Sequence, residues 1–222
     1  MPLFRKSQLT KTTSLGIWKI EESPEHLKTL IQLSPAEKNY YETLCSDLRK
    51  KHWLSYRNIL ASLMDKDSRE LFYDAYGKPH SVNRNHHLSV THSGIFSAAI
   101  VSTERAVGID IEMVKDRVER VKEKFLNEEE RESIGDQNRL EKLYICWGAK
   151  ESLYKLYGKP EIEFVKDIFV GSFDYDQDEK GQCTARMTTP EGIESFPVYY
   201  EKIEDYMLVY TMNAKNFLGS SQ

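Results

Sequence analysis

The chain has 222 residues, with 31 Lys and Arg against 35 Asp and Glu and a formal net charge of −4 at pH 7. That length suits one large domain or two compact halves, and the mildly acidic balance argues against a nucleic-acid partner, although RKKHWLSYR (Arg49 to Arg57) carries enough cations to hold one or two phosphates. Cys45, Cys146 and Cys183 are too far apart for a zinc or disulfide framework, and no stretch has the apolar length of a signal peptide or a membrane span, so a cytoplasmic protein without membrane contact is expected.

In chain order, SLGIWKI (Ser14 to Ile20) is the first predicted strand. LSPAEKNYYETL then opens a helix, with Ser34 as N-cap, Pro35 in the first helical position and Glu37 completing a capping box. The helical pattern runs, with breaks, to about Met64. ELFYDAY is a short strand that ends in the turn Gly77–Pro79. From Leu88 to Glu112 the alternation predicts a three-stranded meander, HLSVTH, IFSAAIV and AVGIDIE, joined by hairpin connections SG and STER. Val114, Val118, Val121 and Phe125 mark a helix face, and Asn127 with Glu130 forms a second capping-box candidate. A long helix from about Leu140 to Tyr157 stops at YGKP, where Gly158 and Pro160 cannot continue it. EFVKDIFVGSFDY, GQCTARMT, IESFPVYYEKI and YMLVYTM predict an antiparallel sheet, and the tail NAKNFLGSSQ is expected to fray. This order predicts an α+β fold in two halves, residues 1–105 and 106–222.

Within VGIDIE, side chains alternate, so Gly108, Asp110 and Glu112 share one side of the strand and Val107, Ile109 and Ile111 the other. The two acids start from Cα atoms about 6.6 Å apart. Their repulsion is about 2–3 kcal/mol at an effective dielectric near 20 and less than about 1 kcal/mol in open water. Either the pair is a solvated strand face, or something positive lies between the acids. A second concentration of charge lies in CWGAKESLYK. On a helix, Leu140, Tyr144, Trp147, Glu151 and Lys155 fall within a sector of roughly 80°. An i,i+4 Glu–Lys pair is ordinarily a plain surface ion pair, but here it continues an apolar stripe that is expected to face the interior. Asp110, Glu112 and Glu151 together form an all-oxygen set suited to Mg²⁺ or Mn²⁺, ions that commonly bridge substrate phosphates.

VGIDIE followed about forty residues later by WGAKESLYK resembles the paired signature of the 4′-phosphopantetheinyl transferases of the larger, single-chain, surfactin-synthetase-activating type, (V/I)G(I/V)D(I/V)E and WxxKEAxxK. GKP at Gly77–Pro79, SVTHSG and KFLNEEE match in order, so the resemblance runs from about Arg49 to Lys159. Ser152 and Thr91 are conservative departures from the pattern, and the first fifty residues carry no match. The resemblance implies two similar α+β halves related by pseudo-two-fold symmetry, with a metal site at their interface. It further implies Mg²⁺-dependent transfer of the phosphopantetheine arm of coenzyme A to a serine of an apo acyl or peptidyl carrier protein, by a monomer. By the same resemblance Asp110, Glu112 and Glu151 would hold the metal. Glu151 would take the serine proton, Lys155 would stabilise the leaving phosphate, and Arg57, Lys78, Thr91, His92, Asp110 and Lys155 would contact the coenzyme; Trp147 and Lys150 are read as structural. The alternatives are a metal-dependent nucleotide or phosphodiester hydrolase, disfavoured because no further Asp/Glu/His cluster accompanies the motifs, and a non-catalytic coenzyme-binding module.

Overall fold

Serine–proline pairs start the first two helices. Ser23 caps Pro24–Thr29 (α1) and Ser34 caps Pro35–Glu42 (α2), where both arms of the capping box close: the Glu37 amide donates to the Ser34 hydroxyl (3.3 Å) and the Ser34 amide to the Glu37 carboxylate (2.8 Å). The helical run breaks at Thr43, whose hydroxyl turns back to the Tyr40 carbonyl, and restarts behind the Ser46 cap as Asp47–Leu63 (α3). The computed structural model describes residues 3–175 and 179–213; most of the tail expected to fray lies outside them. The chain divides into two compact units, Met1–Glu104 and Arg105–Gln222. The architecture is α+β, with antiparallel sheets and packed helices. No described helix is long and apolar enough to cross a membrane.

In the first unit, Leu3–Gln8 (β1), Thr13–Lys19 (β2), His87–Ser93 (β5) and Phe96–Ser102 (β6) form an antiparallel sheet in the order β1-β2-β6-β5, while Leu71–Tyr73 (β3) and Pro79–Ser81 (β4) pair separately. The strand before SLGIWKI and the helix α1 were not expected. LFRKSQ is an edge strand whose residues alternate between half-buried and exposed, and it carries only two large apolar side chains, too few to stand out as a pattern. The helix α3 covers the sheet, packing Trp53, Leu54, Ile59 and Leu60 with Trp18, Ala99 and Val101.

The second unit corrects the predicted meander. Val107–Met113 (β7) does not return along β6. It pairs with the last strand, Tyr206–Met212 (β11), placing Asp110 opposite Val209 and Glu112 opposite Met207. The STER segment therefore leads from one unit into the next. With Ile168–Val170 (β8), Lys180–Thr189 (β9) and Gly192–Ile203 (β10), the sheet runs β7-β11-β10-β9-β8, so β7 is an edge strand. Val114 to Phe125 forms two 3-10 segments, Asp116–Arg120 and Lys122–Lys124, rather than an α-helix. The three-residue step from Val118 to Val121 suits that tighter winding, and Val118 and Phe125 still reach the core. Three helices follow, Glu128–Ser133 (α4), Arg139–Tyr157 (α5) and Phe164–Asp167 (α6). The Asn127–Glu130 capping box forms, and α5 ends on Gly158 in the left-handed region (φ 77°).

Candidate active site

Two glycines let α5 lie directly on the edge of this sheet. A Cβ on Gly108 would stand 1.8 Å from the Ser152 carbonyl oxygen, and one on Gly148 would stand 2.6 Å from the Val209 side chain. The Ser152 hydroxyl then donates to the Val209 carbonyl at 3.0 Å. This contact brings the acids of β7 and the charges of α5 together. The Lys155 amino group donates to the Asp110 carboxylate (2.7 Å) and the Ile109 carbonyl (3.2 Å). The pair is half-open: the Lys155 side chain is 29% exposed and that of Asp110 is 7%. Glu151 lies beside it. Burial, then the negative charges of Asp110 and Glu112, push its carboxyl up to about 7 against the opposing pull of Lys155. Glu112 is half-buried and meets Arg117 at 3.6 Å.

The stripe on α5 sits at the rim rather than in the interior. Tyr144 is buried, but Leu140, Trp147, Glu151 and Lys155 are only half-buried, while Leu143, Ala149 and Leu153 form the fully buried face. Trp147 packs edge-on against Phe125 and Phe164. Beside it an apolar cleft of about 240 Å³, lined by Glu112, Arg117, Val118, Val121, Tyr144 and Trp147, opens next to the acids.

The donor chemistry fits a hard divalent cation. Burial, and then the negative charges of Asp110 and Glu112, raise the proton affinity of Glu151, and a cation would relieve that repulsion. Among the described residues, however, no group of three or more His, Cys, Asp or Glu side chains is arranged to hold a metal ion as it stands. The Lys155 ammonium lies against Asp110, and Arg117 lies 3.6 Å from Glu112.

The structure adds a charged network close by on the same helix. The Lys150 amino group, wholly buried, donates to the Glu130 carboxylate (2.8 Å) and to the carbonyls of Phe164 (2.9 Å) and Ile168 (2.7 Å). The Glu130 carboxylate also accepts the amides of Asn127 (2.9 Å) and Val170 (2.8 Å). A lysine on the buried side of an otherwise apolar helix face, together with the capping-box glutamate, was the available signal.

The remaining predicted contacts lie in the first unit. Arg57 does not face solvent. It is buried, ion-paired with Glu37, and donates to the Arg69 carbonyl at 2.8 Å. Its charge holds α2 to α3. Lys78 follows a turn organised by Asp74, whose carboxylate accepts the amides of Tyr76 and Lys78 (both 2.9 Å) and meets the His80 ring at 2.8 Å. Burial lowers the Lys78 ammonium to about 8 against the attraction of Asp74. His87 is pushed down by burial, then by the positive charges of Lys78, His80 and His86. On β5, Thr91 is buried and His92 is exposed, its ring stacked on His52.

No curated protein matches the chain. Residues 106–211, the stretch of the second unit that holds Asp110, Glu112, Glu151 and Lys155, match the family model ACPS, described as the 4′-phosphopantetheinyl transferase superfamily.

Proposed function

We propose that the protein transfers the 4′-phosphopantetheine arm of coenzyme A to a serine hydroxyl of an apo acyl or peptidyl carrier protein, releasing adenosine 3′,5′-bisphosphate, as a monomer of the larger single-chain type. One observation carries the reading: within the stretch matched to this superfamily, Glu151 is a carboxyl with its proton affinity raised to about 7, next to a half-open Asp110–Lys155 pair. A base with affinity near neutrality suits proton removal from a hydroxyl.

Asp110, Glu112 and Glu151 would hold Mg²⁺ or Mn²⁺. Bound there, a divalent ion supplies charge neutralisation at the coenzyme pyrophosphate and polarises the phosphorus under attack. Glu151 accepts the serine proton as the serine oxygen–phosphorus bond forms and the bond to the bisphosphate oxygen breaks. Lys155, held on Asp110, faces the charge that accumulates on the departing phosphate. Lys78, Thr91 and His92 contact coenzyme phosphates, and the apolar cleft beside Glu112 supplies a surface for an arm that is itself partly apolar.

The test is to incubate the protein with apo-carrier, coenzyme A and Mg²⁺ and to weigh the carrier. The expected result is a carrier heavier by one phosphopantetheine arm, and loss of that product in a folded Asp110→Ala variant. A carrier of unchanged mass, or nucleotide hydrolysis that proceeds equally without carrier, overturns the proposal.

A further inference from the structure

His92 is an exposed side chain near the end of β5, two residues before Gly94, which makes the turn into β6 in the left-handed region (φ 53°). An exposed histidine ordinarily samples several rotamers, and ordering it on a ligand costs conformational entropy. Here the ring is already placed. The buried His52 of α3 lies flat on it, with ring centroids 4.2 Å apart and planes inclined by 15°. The same His52 meets the Gly94 carbonyl through Nε2 at 2.8 Å. A carbonyl only accepts, so that nitrogen carries the hydrogen. Three residues along the helix, Ser55 shares a 2.7 Å hydrogen bond with Ser97, the residue opposite His92 in the β5–β6 ladder. Helix α3 therefore grips this hairpin at the turn carbonyl, at the cross-strand serine and at the imidazole ring.

We infer that His52 is a positioning residue: by stacking on His92 and tying down Gly94, it presets the imidazole that contacts a coenzyme phosphate. The inference rests on the reading of His92 given under the proposed function. One face of the His92 ring is covered, so the ligand meets its other face or its edge. Packing alone does not call for a histidine at position 52. A leucine fills comparable space, but it offers no flat ring to stack and no N–H for the turn.

The test uses the full-length protein and titrates coenzyme A and dephospho-coenzyme A by calorimetry, without carrier, against wild type, His52→Leu, His52→Phe, His92→Ala and the double variant His52→Leu/His92→Ala. Loss of the phosphate contact in His92→Ala should weaken coenzyme A about tenfold. His52→Leu should weaken it about threefold to fivefold, and His52→Phe, which restores the stack, should return to within about twofold of wild type. The double variant should bind about as His92→Ala does, because His52 acts only through His92. A second readout is independent of the ligand: the His92 ring-proton resonances should carry a ring-current shift in wild type and His52→Phe that is lost in His52→Leu. If His92→Ala binds coenzyme A as wild type does, both the reading of His92 and the inference fall. If His92→Ala is impaired while His52→Leu is not, or if the two losses multiply in the double variant, only the positioning role is overturned.

Discussion

Lys150 and Lys155 stand five residues apart on one helix, each paired with a carboxylate, yet they are built for different ends. The Lys150–Glu130 pair is fully buried, at 0% and 1% exposure, and both partners have further hydrogen bonds to backbone groups. It joins α5 to the start of α4 and to β8. The Lys155–Asp110 pair is half-open and lies beside a third ionisable group, Glu151, whose proton affinity is raised by burial and then by Asp110 and Glu112. Satisfied and closed, a charge network makes a joint; left partly open and crowded with like charge, it can exchange partners with a ligand. Each pair joins a lysine to a carboxylate, and solvent access with hydrogen-bond completeness makes the difference.

The largest expected effect tests the open side. Glu151→Gln keeps the shape and one oxygen but cannot take a proton, so turnover should fall about 10²–10⁴-fold in a carrier-loading assay, much further than coenzyme affinity falls. Equal losses of rate and binding would leave Glu151 a ligand only. Next, the two lysines should separate cleanly. Lys150→Met should lower stability by about 3–5 kcal/mol in urea unfolding, because it strands the Glu130 charge in the core, and Glu130→Gln in the same chain should recover part of that loss. Lys155→Met should cost no more than about 2 kcal/mol of stability while slowing turnover about 10²-fold or more. If both variants lose stability alike, the two lysine pairs do not differ in role.

A third effect is pH-dependent. Folded Glu151 holds its proton to about 7, whereas the ordinary value is 4.5. Between those values the native state binds more protons than the unfolded state, so stability falls as pH rises through this window. In chelator-treated protein, Glu151→Gln should therefore be more stable than wild type at pH 8, by at most about 3 kcal/mol. That gain should shrink towards nothing as pH approaches 4.5, which denaturant titrations at pH 8 and pH 5 would show. The smallest effect belongs to the surface. Arg117→Ala removes an exposed partner of Glu112 and should move stability by no more than about 0.5 kcal/mol.

Much of the candidate site could be read from the chain, because its cues are local. Capping boxes at Ser34–Glu37 and Asn127–Glu130 and the Gly158 stop involve near neighbours, and they form as their residue types require. The alternation of VGIDIE placed Asp110 and Glu112 on one side of a strand, and the period of α5 placed Glu151 and Lys155 on one face of a helix. What the strand pairs with, what Lys155 reaches and which charge is exposed depend on residues remote in sequence. Alternation marks β7 as a strand but is silent on whether β6 or β11 lies beside it; here β11 does. An i,i+4 spacing suggests Lys155 for Glu151, yet the close approach of α5 at Gly108 delivers its amino group to Asp110. Arg57 reads as a helix-surface cation until Glu37, twenty residues earlier, folds over it. Backbone hydrogen bonding and side-chain period act over a few residues and are written locally, whereas partner choice and desolvation are properties of packed surfaces and arise only once the elements meet.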